Sequence, residues 1–235
     1  WIIGLCNYCQ YSGDRQLARD FERVVVRGLK LLRAWEYNDR GLVYVPQSGN
    51  WADEYLLRGY ILSDQLLRVW ALRCAGQLYE RPKWIRQAGD IIELLKKNYW
   101  IHTMGISDQL YHRHAYELSL QEQGPSAYWA ASFSPGGYIR YFDLLANSMA
   151  ILLGMGDEKQ DRQAMGYAEA VRLSRPYGMV PSFWPVIQEG EADWEALRAN
   201  HKYDFRNQPF EFQNGGIWPV WNGWWIMALA NQGET

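Results

Sequence analysis

Apolar side chains recur at three- and four-residue steps through most of this chain, and that spacing restricts the fold to one built mainly of helices. Leu57, Ile61, Leu67, Ala71, Cys74 and Leu78 keep those steps through one segment, with Asp64 the single charge among them. Trp84, Ala88, Ile91, Leu95 and Tyr99 keep them through the next. Side chains spaced in this way share one helix face and can be buried together. Further helices are predicted at about 1–12, 15–38, 140–155, 158–174 and 217–231, about seven in all. Asp64, on so apolar a face, is expected to be capped or paired. Strand-like alternation is scarce, and Leu42–Val45 is the best short candidate.

The links between these helices alternate in length. Ser12-Gly13-Asp14, Glu80-Arg81-Pro82 and Gly156-Asp157 are short, and each carries a breaker or a helix-start residue. The links at about 39–56, 100–139 and 175–216 are long. Short links make antiparallel helical hairpins, and stacked hairpins gather the long links at one end, where binding sites are usually built. The expected fold is all-α, an (α/α)6 toroid of six hairpins with about seven of its twelve helices present. An open α-solenoid is the alternative, but no sequence repeat of constant period supports it. The start at Trp1 leads us to expect a single domain over 1–235, the central part of a longer barrel truncated at both ends.

Composition narrows the function. Apolar residues make up 48% and charged residues 21%, enough to bury a globular core. A net charge of −2 gives no electrostatic case for nucleic acid or an anionic membrane as partner. No apolar run reaches the length of a membrane-spanning helix. The anomaly is aromatic: 13 Trp and 16 Tyr, whose flat apolar faces suit the rings of a carbohydrate ligand. Cys6, Cys9 and Cys74 are odd in number, and the Cys-x-x-Cys has no second pair, so reduced core thiols and a cytoplasmic setting are expected. His112 and His114 have no acidic or cysteine companion nearby, so no metal site is expected. Phosphate-binding glycine loops, nucleophile elbows and metalloprotease helices are absent from the sequence. Carboxylate chemistry is the remaining hydrolytic option, without a cofactor. In glycosidases two carboxyls about 6.5–9.5 Å apart invert, and two about 5–5.5 Å apart retain.

The most telling stretch is Glu211–Trp225. Asn214-Gly215 supplies a turn, Pro219 suits a first helical turn, and Trp218, Trp221, Trp224 and Trp225 cluster on part of one helix surface. Gln213, Asn214 and Trp218 become candidate sugar contacts. In the first long loop Trp51 offers a platform. Asp53 and Glu54 there are either helix caps or acceptors for sugar hydroxyls. Arg58, one turn on, is placed to hold their carboxylates. Asp143 and Asn147, four apart, face either a polar central cavity or their own neighbours. Glu189 lies in the aromatic third loop.

These residues resemble a known group. Gln213-Asn214-Gly215-Gly216-Ile217-Trp218-Pro219 is similar to the Asn-Gly-Gly-x-Trp-Pro segment of six-hairpin glycosidases. That group includes the neutral/alkaline invertases and the bacterial amylo-α-1,6-glucosidase-like debranching proteins. Trp1-Ile2-Ile3 with Tyr11-Ser12-Gly13-Asp14, Ala71-Leu72-Arg73-Cys74, Arg140–Leu152 and Pro185–Trp194 resemble further family segments in the same order. Gln213 stands where invertases carry His, their Asp-Pro-Lys-Asn segment is not recognisable between Trp194 and Gln213, and Asn50–Glu54 is closer to the debranching-like proteins. The resemblance implies a glycoside hydrolase region acting on α-glucosidic bonds of oligosaccharides or α-glucan, with inversion. It places the general acid just before Trp1 and the general base beyond Thr235. A non-catalytic carbohydrate-binding or helical scaffold protein, a sucrose-cleaving invertase, and an enzyme using Asp53 with Glu189 are the competing readings. Unpartnered apolar helix faces would also favour self-association.

Overall fold

The computed structural model describes residues 1–103 and 108–233. Its helices are α1 (Ile2–Ser12), α2 (Arg15–Ala34), α3 (Leu62–Leu78), α4 (Pro82–Tyr99), α5 (Arg113–Gln123), α6 (Leu144–Leu152), α7 (Glu158–Leu173), α8 (Trp194–Ala199) and α9 (Pro219–Asn231). Four strands lie between them: β1 (Tyr60–Ile61), β2 (Ala130–Ser134), β3 (Gly137–Asp143) and β4 (Phe183–Trp184). They form one antiparallel sheet in the order β1-β2-β3-β4. The fold is therefore mixed α and β, and the expected all-α (α/α)6 toroid is overturned by this sheet.

Two of the predicted helices begin in strands. Residues 57–61 were expected in α3, but Tyr60 and Ile61 pair with Phe133 and Ser132. Residues 140–143 were expected in α6, but they complete β3, where Phe142 faces Trp184 and Asp143 faces Phe183. Both strands run straight into the following helix. Tyr138, Ile139, Tyr141 and Phe142 are the aromatic and β-branched types that pack well on a pleated surface. Leu42–Val45 forms only isolated bridges, Val43 to Glu36 and Val45 to Gly59.

The short links behave as expected. Gly13 closes α1 in the left-handed region at φ 73°, and the Asp14 side chain caps α2 by accepting from Leu17 N at 2.9 Å. Pro82 opens α4, and Asp157 with Gln160 forms a reciprocal capping box on α7.

Helix α3 is the hub. It packs against α1, α2, α4 and α6, and α6 packs in turn on α7 and α9. The largest core joins Leu62, Leu66, Val69 and Leu72 of α3 to Ile91 and Leu95 of α4 and to Met149 of α6. Polar groups pin the first long loop to this hub. Gln65 holds both the N–H and the carbonyl of Val43, at 2.9 and 2.8 Å. Arg68 and Glu36 form a buried ion pair that also grips the Gly41 backbone from both sides. No helix among the described residues is long and apolar enough to cross a membrane.

Candidate functional site

The turn at 207–216 ties the first long loop to the third through buried amides. Asn207 Oδ1 accepts from the N–H groups of Gln213 and Asn214, and its Nδ2 donates to Glu54 O at 2.7 Å. Asn214 clamps Ile187 on both sides, accepting from its N–H at 2.8 Å and donating to its carbonyl at 2.9 Å. Gln213 Oε1 accepts from Glu54 N at 3.1 Å, while Nε2 donates to Trp51 O and to Asp53 Oδ1. Gln213 and Asn214 are completely buried. The structure places these two amides inside, bonded mainly to loop backbone, where they position neighbouring side chains.

The acids of the first loop are also engaged. Asp53 pairs with Lys202, which holds its carboxyl below the usual range. Glu54 is buried and pairs with Arg206 at 2.6 Å. Arg58 holds neither carboxylate; it is exposed and lines a different cavity. Glu189 is exposed, without hydrogen bond or ion pair among the described residues. Asn147 is buried, accepting from Trp129 N at 3.0 Å and donating to Trp129 O and Asp143 O.

The indoles of the turn and of the first loop meet. Trp51 stacks on Phe183 with centroids 5.4 Å apart and planes 8° from parallel, and Phe183 stacks on Tyr55. Trp218 and Trp221 set their rings across Trp51 at 5.4 and 5.0 Å. Trp218 is fixed by its indole N–H, which donates to Phe212 O at 2.8 Å. All three rings are partly exposed, whereas Trp225, from the same helix, is buried in the core. Trp224 packs edge-on against Trp70. The tryptophan stripe of α9 thus divides between a surface wall and the interior.

Two buried carboxyls connect to this wall through their neighbours: Asn50, beside Asp64, precedes Trp51, and Asp143 pairs in register with Phe183, on which Trp51 stacks. Asp64 lies in the first turn of α3, and burial pushes it up to about 6. The Asn50 amide beside it eases its ionisation in part, yet Asn50 Nδ2 makes no hydrogen bond of good geometry. Asp143 caps α6 through Oδ1, which accepts from Ala146 N at 3.1 Å. Complete burial pushes it up to about 7, with the nearby Asp64 adding to the shift. One oxygen of each, Oδ2, is buried without a partner, as are Trp51 Nε1, Trp221 Nε1 and Ser63 Oγ. Asp64 also borders a groove of about 390 Å³ whose walls are Trp1, Ile2, Ile3, Leu31 and Val43. The N-terminal ends of four helices supply these groups: Trp1 for α1, Asp64 for α3, Asp143 for α6 and Trp218 for α9.

Chemically, the wall offers flat apolar faces, and Asp64, pushed up to about 6, offers a carboxyl that gains and loses its proton around that pH. Such a group can both donate to and accept from a hydroxyl. Asp64 drew attention in the sequence only as the odd charge on an apolar face; its unpartnered oxygen is the finding that brings it into the site. No group of His, Cys, Asp and Glu suited to a metal ion occurs among the described residues. The three cysteines are free and buried, and burial pushes Cys6 up to about 12, so they are unreactive core thiols. No family model matches the chain, and no curated protein is significantly similar to it.

Proposed function

We propose that this chain forms the sugar-contacting part of a glycoside hydrolase that acts on α-glucosidic bonds of oligosaccharides or α-glucan, by inversion and without a metal or organic cofactor. One observation carries the reading: Trp51, Trp218 and Trp221 converge into a partly exposed wall, and Asp64 is linked to it through Asn50, the residue before Trp51. A pyranose ring stacks on an indole face, and its hydroxyls need a partner able to donate and accept. The resemblance of Gln213–Pro219 and of four further segments to six-hairpin glycosidases supports the same substrate class. A cytoplasmic setting belongs to this proposal, on the strength of three unpaired thiols.

Titration of the protein with maltoheptaose, followed by tryptophan fluorescence, tests the reading. Saturable quenching is expected, with cellohexaose at least tenfold weaker. Trp51→Ala should lower maltoheptaose affinity about tenfold, the scale of one lost ring-stacking partner. Trp51→Phe should recover part of it. Asp64→Asn should weaken binding with less effect on the fold. Equal binding of the two glucans, or none of either, would sink the proposal.

A second reading, carbohydrate binding without cleavage, is favoured by one fact. Asp53 and Glu54 are both tied into ion pairs, with Lys202 and Arg206. Release of reducing sugar from maltoheptaose separates the two readings.

A further inference from the structure

Helix α2 carries two apolar faces, and only one of them is covered. Ala18, Val25 and Leu29 are buried in the protein, as an amphipathic helix requires. Phe21, Val24, Gly28, Leu31 and Trp35 recur at steps of three and four along a second face. Phe21, Val24, Leu31 and Trp35 are exposed, Leu31 by 62%. The stripe runs about 21 Å at 1.5 Å per residue, close to four helical turns. It leads into the groove of about 390 Å³ at the start of α1, which Leu31 and Leu32 line together with Ile3, Leu67 and Ala71. Gly28 lets α1 come close here: a β-carbon on it would lie 3.4 Å from Ile2 and 3.6 Å from Trp1. An apolar strip of this length, continuous with a groove, marks an interaction surface; singly scattered apolar residues do not.

The charge beside the stripe selects its occupant. Helix α2 holds six basic residues against two acidic ones, Asp20 and Glu22, and Glu22 is taken by Arg81. Helix α1 has no charged residue. Arg23, Arg27 and Lys30 follow one another at steps of four and three on the solvent side of the stripe, exposed and without an ion pair or hydrogen bond among the described residues. Asp64, the one carboxylate lining the groove, is partly buried, while these cations stand on the open rim. Packing α2 against α2 of a second copy would set like charges together. No helix among the described residues is strongly acidic; α5, the most acidic, has Glu117 and Glu122 against Arg113. An anionic bilayer attracts the same cations, but a flat surface leaves the groove unfilled. We propose that the α1–α2 face docks an acidic amphipathic helix of a second protein, its apolar anchors along the stripe and in the groove, its carboxylates opposite Arg23, Arg27 and Lys30. The surface uses none of the three indoles of the tryptophan wall and does not rest on the carbohydrate reading.

Selection from a displayed library of helical peptides of about 18 residues, randomised at every outward position, tests it with the whole chain as bait. Enriched peptides are expected to carry net negative charge and large apolar residues at three- and four-residue steps. The leading peptide, synthesised and followed by fluorescence anisotropy, should bind saturably and lose affinity as salt rises. Leu31→Ala should weaken it at least tenfold while the thermal midpoint stays close to that of the parent, since Leu31 is exposed. Arg23→Glu with Arg27→Glu should weaken it as much, and the same peptide with its acids changed to Lys should then recover binding. The proposal is overturned if no helix is enriched, if the enriched helices are neutral or basic, or if Leu31→Ala and the paired Glu substitutions leave affinity unchanged. It is equally overturned if vesicles of phosphatidylserine bind this face and no peptide does, or if the chain alone forms a dimer that Leu31→Ala dissociates.

Discussion

Gly216→Ala is expected to cost at least about 4 kcal/mol and to leave little folded protein at moderate denaturant. A β-carbon at Gly216 would lie 2.2 Å from Phe212 O and 2.8 Å from Phe212 N, both backbone atoms that cannot swing aside. The turn has little room to relax. Phe210 and Phe212 already hold positive φ angles of 70° and 43°, and Gly215, at φ 85°, leaves Val186 no space for a side chain there. Phe212 O also accepts the indole N–H of Trp218, and Gly216 O accepts from Ser182 N at 3.0 Å. Ser182 O in turn accepts from Leu144 N, at the head of α6. Moving the Gly216 backbone therefore disturbs the tryptophan wall and the Asp143 region together. Gly223→Ala, in the same helix as the stripe but with open space around its β-carbon, should instead stabilise α9 by about 0.5–1 kcal/mol. Urea unfolding of both variants checks the contrast; equal midpoints would show that the turn tolerates a side chain.

Those two glycines show what can be read from sequence here. Local chemistry is legible: Gly13, Asp14, Pro82 and Asp157 mark helix ends because the cap needs only residues within one turn. The sheet was hidden because β1 and β3 pass into helices without a breaker. Tyr60 and Ile61 are both buried, so β1 shows no alternation, and its apolar residues extend the helical spacing of α3. Helix α8 has six residues, too few for a periodic signal. In the site, the amide residues at the turn are visible in the sequence, but the backbone groups they meet lie far along the chain. Gln213 bonds Glu54, 159 positions away, and no local pattern encodes that. Asp64 stood out as a misplaced charge. That its second oxygen has no partner depends on how α3, the Asn50 loop and α6 pack, which spacing does not contain.

Asp143→Asn is expected to make the protein more stable than the parent at pH 8 and to flatten its pH dependence. Asp143 is completely buried, and its carboxyl is pushed up to about 7 from an ordinary value of 3.8, burial being the main cause and Asp64 a further one. In the unfolded chain the group loses its proton near pH 4; in the folded protein it keeps it to about 7. Between those values the folded state binds more protons, so stability falls as pH rises through the window and levels off above it. A shift of about three pH units corresponds to up to about 4 kcal/mol of lost stability at pH 8. Asparagine keeps the oxygen that accepts from Ala146 N and carries no charge, so it retains the cap and removes the penalty. Asp64→Asn should give a smaller gain over a narrower window, closing near pH 6. Urea midpoints measured from pH 4 to pH 8 decide the matter. Equal stability of Asp143→Asn and parent near pH 4, with the variant ahead at pH 8, is the expected pattern. A variant weaker than the parent at pH 8 would mean that Asp143 is ionised and held by a cation, and the neutral carboxyl at the head of α6 would have to be abandoned.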